Sequence, residues 1–331
     1  MGPAVRAIWS ALLIAALGFG EARAQAGSTN FEGWSAVCDD VGECSTWAHT
    51  GGWAEPSYIL LRRQAGGRWS AHFGVTGARG EEPGEIEIKL IGTDGRLAWT
   101  RRLYGKSDDR HMREAGIDSA QDLMALREAM ASGKTAEVVT DGRIEPWRAI
   151  PLAGAASALH WIDAHGPDPR RAVIRRAPAV SQANLPKAPP AASPDCAQVS
   201  LYRLSPGKVL SVRWCSDDDH TAGAYTDITL LDERGRRLPG PAMEGHSEEF
   251  TPVLANVDYD PKTRSLSAFQ PGEYRLGSCG ADTTWVWDGA EFRVARLTEM
   301  LDCTSMSRTL WPSHRNVRVV DAEPSRNARR K

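Results

Sequence analysis

Gly277-Ser278-Cys279-Gly280, followed a few residues on by Trp285-Val286-Trp287-Asp288-Gly289-Ala290-Glu291-Phe292, is the stretch that decides the fold class. A cysteine between two glycines leads into two tryptophans at strand spacing, and an Asp-Gly pair then invites a turn. Residues 275–303 therefore read as a disulfide-anchored β-hairpin. With Asp288-Gly289 as a two-residue turn, Trp285 lies opposite Phe292, Trp287 opposite Ala290 and Thr283 opposite Val294. One face is then apolar while the other carries Thr284, Glu291 and Arg293, so the tryptophans point into a core. The competing use of Trp285 and Trp287 is an exposed aromatic platform for sugars or peptides. No catalytic signature is present: a serine hydrolase needs Gly-x-Ser-x-Gly on a strand-to-helix turn, and Ser278 stands one step out of that register.

Working outward, the chain has 331 residues, enough for two domains that each bury a core, and a formal charge of −2. So balanced a charge argues against a nucleic-acid partner, which calls for a basic face. At the N-terminus Arg6 precedes an apolar run over residues 7–20, and Ala22-Arg23-Ala24 offers a small-x-small cleavage site. This is the pattern of a secretory signal peptide cut after Ala24, with a periplasmic destination. No later stretch reaches about 18 consecutive apolar residues, so no transmembrane segment is expected after cleavage. Export exposes the six cysteines to an oxidising compartment. They fall in three sequence-local pairs, Cys38 with Cys44, Cys196 with Cys215, and Cys279 with Cys303, although sequence alone leaves other connectivities open. Closing these loops stabilises by about 2.5 kcal/mol for the shortest and roughly 3 to 3.5 kcal/mol for the others.

Along the chain, residues 31–40 alternate into the first cysteine as a strand with Trp34 and Ala36 on one face. Residues 58–63 and 68–73 form strands around Gly66-Gly67. Ile86-Glu87-Ile88-Lys89-Leu90 runs into Asp94-Gly95, which as a two-residue turn sets Leu90 against Trp99. Ser119 caps a helix over 120–131, where Leu123, Leu126 and Met130 recur at helical spacing and Gly133 is the stop. Asp141-Gly142 is a further turn, and residues 152–163, with Gly154 among small neighbours, form a second helix ended by Gly166-Pro167. Residues 177–195 are rich in Pro and Ala and read as an extended linker. Strands follow at 199–214, 225–231, 257–261 and 264–269. The expected fold class is β-rich, all-β to α+β: two disulfide-stapled domains built of antiparallel hairpins, the first with two short helices. The expected organisation is a signal peptide (1–24), an N-terminal β-rich domain (25–176), the linker (177–195), a C-terminal β-rich domain (196–320) and a disordered tail (321–331), with a β-sandwich as the expected layering.

These motifs, in this order, resemble a family of exported bacterial proteins known as domain of unknown function 1176. The resemblance rests on Trp34-Ser35-Ala36-Val37-Cys38-Asp39 with Cys44, on Leu152-Ala153-Gly154-Ala155-Ala156-Ser157-Ala158-Leu159-His160-Trp161-Ile162-Asp163, on Arg275-Leu276-Gly277-Ser278-Cys279-Gly280, on Trp285-Val286-Trp287-Asp288-Gly289 with Phe292, and on Cys303 before Trp311-Pro312. Ser278 and Asp40 depart from that family's pattern, which carries an acidic residue and Asn there. The first half is also similar to the invasion-associated locus B family, through the early Trp-x-x-x-Cys and the helix from Leu152 to Leu159. Neither resemblance implies an enzymatic activity. What they imply is a periplasmic location and a β-rich scaffold.

Chemistry-bearing clusters are sparse. Asp217-Asp218-Asp219-His220 could offer oxygens to a hard cation, but it lacks the alternating spacing of a calcium loop and reads as a solvated turn. His160 and His165, five apart, do not share a helix face and read as structural, so neither metal nor cofactor is expected. Structural weight falls on Trp34, Gly154, Gly277, Gly280, Trp285, Trp287, Gly289 and Phe292. The expected role is non-catalytic interaction or envelope maintenance, with an envelope protein or a cell-wall component as partner. The alternative is an envelope hydrolase acting on glycans, whose carboxylates one sequence cannot pick out.

Overall fold

The structure is a computed structural model that describes residues 27–50, 57–76, 84–107, 112–140, 149–165, 173–190, 196, 198–215, 225–241, 243–244, 254–272, 279–304 and 306–322. The first half contains β1 (Gly27–Phe31), β2 (Trp34–Cys38), β3 (Cys44–Thr50), β4 (Ser57–Arg63), β5 (Trp69–Val75), β6 (Gly84–Gly92), β7 (Leu97–Ser107), β8 (Arg113–Ile117), β9 (Gly133–Thr140) and β10 (Ala149–Pro151). Helix α1 (Ala120–Ser132) lies between β8 and β9, and α2 (Ala155–Ala164) follows β10. The strands form one sheet in the order β1-β2-β3-β4-β5-β8-β7-β6-β9-β10. The sheet folds over so that inward residues of both ends share one core: Trp34 of β2, Ile59 and Leu61 of β4, and Ile86, Ile88 and Leu90 of β6. Both helices close that core, through Leu126 and Met130 of α1 and Ala158 of α2.

Several local expectations are corrected. The strand expected over 31–40 is two strands, because Glu32 and Gly33 adopt positive φ (50° and 93°) and turn the chain between β1 and β2. Leu90 does face Trp99, but a bulge separates it from the Ile91–Leu97 pair and the loop spans Gly92 to Arg96, with the Gly92 amide donating to the Arg96 carbonyl at 2.8 Å. Ser119 caps α1 by accepting from the Asp122 amide. Gly133 ends that helix in extended backbone (φ −78°) and not in a left-handed cap. A Cβ there would lie 2.5 Å from Leu152 Cδ1, so its role is close packing. The second helix begins at Ala155 because Gly154 takes φ +85° against the Phe31 carbonyl, 1.9 Å from where a Cβ would stand.

The second half comprises β12 (Gln198–Ser205), β13 (Lys208–Cys215), β14 (Tyr225–Leu231) and β15 (Leu254–Ala255) in one sheet. The second sheet holds β16 (Asp258–Asp260), β17 (Ser265–Pro271), β18 (Gly280–Trp287), β19 (Phe292–Met300) and β20 (Ser313–Asn316). Leu210 and Val212 from the first sheet meet Leu266, Trp285, Trp287 and Phe292 from the second in one core, the arrangement of a β-sandwich. A short strand, β11 (Val173–Arg176), pairs in parallel with β21 (Arg318–Asp321), and Ile174 packs with Val286, Ala295 and Val317. Residues 173–176 thus lie against strands from the far end of the chain. Asp321, read as tail, closes β21 and bonds to Arg176 at 3.0 Å and to Arg264. The Pro/Ala-rich stretch has no regular structure over 177–190, yet it is fastened down: Gln182 Oε1 accepts from the Arg203 amide at 2.7 Å, and Arg213 donates to the Pro189 carbonyl at 2.7 Å.

The β18–β19 hairpin differs in register from the expectation. Trp287 pairs with Phe292 and Trp285 with Val294, because the loop holds four residues. Asp288 Oδ1 accepts from the amides of Ala290 (2.8 Å) and Glu291 (2.9 Å), an Asx-type turn, and Gly289 takes φ +110°. A slip of two residues keeps the same side chains on the same face. Trp285 and Trp287 are accordingly 3% and 0% exposed, and Trp287 meets Phe292 edge-on at 5.1 Å between ring centroids. Three disulfides join Cys38 to Cys44, Cys196 to Cys215 and Cys279 to Cys303. The last ties the start of β18 to the segment just beyond β19. There Gly280, at φ +137°, lets the chain pass within 2.2 Å of the Gln270 carbonyl, measured from an added Cβ.

Candidate functional site

The outward face of β2, β3 and β4 is not solvent-facing. Val37, Trp47, Tyr58 and Leu60 pack there with Met112 and with Met300, Met306 and Trp311 from the far end of the chain. Alternation explains it: Trp34, Ala36, Ile59 and Leu61 face the first core, so their neighbours must face the other way and require a second apolar cover. Polar bonds stitch the same seam. Ser313 Oγ donates to Asp39 Oδ2 at 2.8 Å, Arg62 donates to the carbonyls of Leu310 (2.8 Å) and Trp311 (3.2 Å), and the Ser307 amide donates to Glu114 at 2.9 Å. Asp39 is fully buried, and burial pushes its carboxyl above the usual aspartate range against the hydrogen bonds that lower it.

Where the seam reaches the edge strand β1, it opens into a cleft of about 360 Å³. One wall is β1 and β2, which present Ser28, Thr29, Asn30 and Ser35. Asn30 is held by its own turn: its Nδ2 donates to Ser35 Oγ at 3.3 Å and its Oδ1 accepts from the Gly33 amide at 3.2 Å. Trp47 of β3 forms the floor. The opposite wall belongs to the second half: Glu299 at the end of β19, Leu301 and Asp302 just beyond it, and His314 on β20. Asp302 Oδ2 accepts from Trp47 Nε1 at 3.4 Å and lies 3.7 Å from His49 Nε2, so one carboxylate touches two residues of β3. Glu299 is half-buried, and loss of solvent raises its carboxyl above the usual glutamate range. The same effect lowers His314 and favours its neutral form.

A second, smaller pocket of about 220 Å³ lies between α1 and the β4–β5 turn, lined by Trp69, Leu123, Met124 and Arg127. Arg127 stacks 4.1 Å over the Trp69 ring and bonds to Asp163 of α2. That arrangement serves helix docking. Among the described residues, no group of three His, Cys, Asp or Glu side chains is placed to hold a metal, and no helix is long and apolar enough to cross a membrane.

The residues singled out from sequence lie elsewhere. Trp34 is buried with its Nε1 donating to the Pro151 carbonyl at 2.9 Å. Gly154 and Gly280 are close-approach points, and Trp285, Trp287 and Phe292 are sandwich core. His160 is exposed, whereas His165 stacks on Trp161 at 3.8 Å. Gly277, Ser278, the cluster Asp217-Asp218-Asp219-His220, the Asp141-Gly142 turn, the Gly166-Pro167 stop and the N-terminal leader all lie outside the described residues. The seam cleft was missed. Its two walls are separated by more than half the chain; Ser35 and Ala36 fall within the Trp34–Asp39 motif, but nothing local in either wall announces the other.

Residues 182–318 match the model of a family described as a protein of unknown function, DUF1176. The chain is similar to that family over a span that holds two of the three disulfides, Cys196–Cys215 and Cys279–Cys303, the paired tryptophans and the Glu299 wall of the cleft. The first-half motifs quoted for the same resemblance lie outside the match. No curated protein matches the chain, and no solved structure does.

Proposed function

We propose that this is a periplasmic, non-catalytic binding protein of the cell envelope, and that its ligand is a sugar-sized cell-wall component held in the seam cleft. Export is supported by the leader-like N-terminus and by three disulfides, which persist in oxidising compartments. The observation that carries the binding reading is the cleft itself. At about 360 Å³ it falls within the range of small-ligand sites, and it sets hydroxyl and amide groups on one wall against carboxylates on the other, with an indole between. Such a donor and acceptor set suits a polyol.

The test is calorimetric titration of the disulfide-bonded mature chain with soluble glycan fragments of the cell wall. Saturable binding is expected in the wild type, and a Ser28→Trp variant, which fills the cleft from an exposed position, should lose it while melting at the same temperature. Binding that survives Ser28→Trp, or no binding to any fragment, contradicts the proposal.

A second reading, an envelope glycan hydrolase, draws support from Glu299. A carboxyl raised by burial in a cleft that a second carboxylate, Asp302, also lines is what a general acid requires. Appearance of new reducing ends during the same titration would favour it.

A further inference from the structure

The charge balance of the seam cleft is one-sided. Its lining includes two acids, Glu299 and Asp302, and neither Lys nor Arg. The lining imidazole, His314, adds no compensating charge, because burial favours its neutral form. Of the arginines flanking them in sequence, Arg315 pairs with Glu244 at 2.9 Å and Arg308 with Asp282 at 2.5 Å, while Arg296, exposed on β19, is not among the lining residues. Among the described residues no salt bridge joins Glu299 or Asp302 to a Lys or Arg. Asp302 has only His49 beside it, at 3.7 Å, and the Trp47 Nε1–H. Two carboxylates in a partly enclosed cleft whose lining holds no Lys or Arg leave a negative field that a cation relieves. The wall opposite, with Ser28, Thr29, Asn30 and Ser35, offers neutral hydrogen-bonding groups only.

The geometry points to a ligand of defined charge: the seam cleft takes a sugar that carries a free ammonium group, with Glu299 and Asp302 as its counter-charges and the β1–β2 wall binding its hydroxyls. This rests on the reading of the cleft as a glycan site and goes further, because it separates amine-bearing sugars from neutral and N-acylated ones. A charge-assisted hydrogen bond to a half-buried carboxylate is roughly twice as strong as a neutral one. N-acetylation removes the charge and adds bulk at the same atom.

The experiment compares two probes that differ only there, a short oligomer of β-1,4-linked glucosamine and the same oligomer fully N-acetylated. Both are titrated into the mature, disulfide-bonded chain just below neutral pH, where the sugar amines are largely protonated. The free-amine oligomer is expected to bind on the order of tenfold more tightly, and the difference should close in a Glu299→Gln/Asp302→Asn variant. It should also shrink in the wild type as salt is raised, a readout that does not depend on the variant folding. Equal or tighter binding of the acetylated oligomer overturns the inference and leaves the glycan reading standing. A preference that persists in the double variant, or at high salt, also overturns it. Failure of both oligomers to bind removes this inference together with the reading beneath it.

Discussion

His72, on β5, shows how a single half-buried group contributes to the pH response. Burial, reinforced by the nearby Arg62 guanidinium, lowers its pKa from 6.5 to about 4. In the unfolded chain the imidazole takes up a proton below pH 6.5, whereas in the folded protein it stays neutral to about pH 4. Its depressed folded pKa therefore contributes stability that is present above 6.5 and is lost as pH falls through that window, up to roughly 3 kcal/mol. His314 shifts in the same direction. Asp39 and Glu299 shift upward through burial, so their contribution has the opposite sign: it is present at low pH and lost as pH rises through their folded values. Melting temperatures of the wild type should fall between pH 6.5 and 4, and a His72→Gln variant should lose part of that slope. An unchanged slope contradicts the assignment to His72. None of this was legible in the sequence, where His72 is one polar residue in an alternating strand and its burial depends on strands that are distant in the chain.

Among the elements, the β18–β19 hairpin marks what sequence patterning can and cannot determine. The facing of Trp285 and Trp287 follows from a period of two and survives a register error of two residues. The loop length does not follow, because Asp-Gly suits both a two-residue turn and the first half of a longer one. The deciding interaction is the Asp288 carboxylate accepting two amides at 2.8 and 2.9 Å, which closes a four-residue loop. Asp288→Ala should therefore cost about 1 to 2 kcal/mol, read as a shift in the urea midpoint, with both tryptophans still buried by fluorescence. A cost near zero would mean that the loop is held by other contacts. The Asp94-Gly95 loop repeats the lesson: the Leu90–Trp99 pair was legible, the bulge beside it was not. Gly133 and Gly154 were legible as special positions, yet what makes them so is close approach to Leu152 and to the Phe31 carbonyl, and tertiary neighbours are not written in local pattern.

For the molecule as a whole, the decisive feature is that the two halves share a buried seam. Both faces of β2 and β4 are buried, since Val37, Tyr58 and Leu60 face the seam while Ala36, Ile59 and Leu61 face the first core. What covers the outer face, Met300, Met306 and Trp311, comes from beyond the linker. The β11–β21 pair likewise joins residues 173–176 to residues 318–321 in parallel, the kind of long-range pairing that local turn signals cannot announce. The candidate site inherits this: Asn30 and Trp47 meet Asp302 and His314 only because the halves dock. One cleft is thus built by two distant segments. Amide hydrogen exchange of the mature chain, with and without a saturating cell-wall glycan, tests it most directly. The prediction is joint protection of residues 28–36 and 299–314, with residues 118–127 around the second pocket unchanged; protection confined to one segment, or centred on Trp69 and α1, would contradict it.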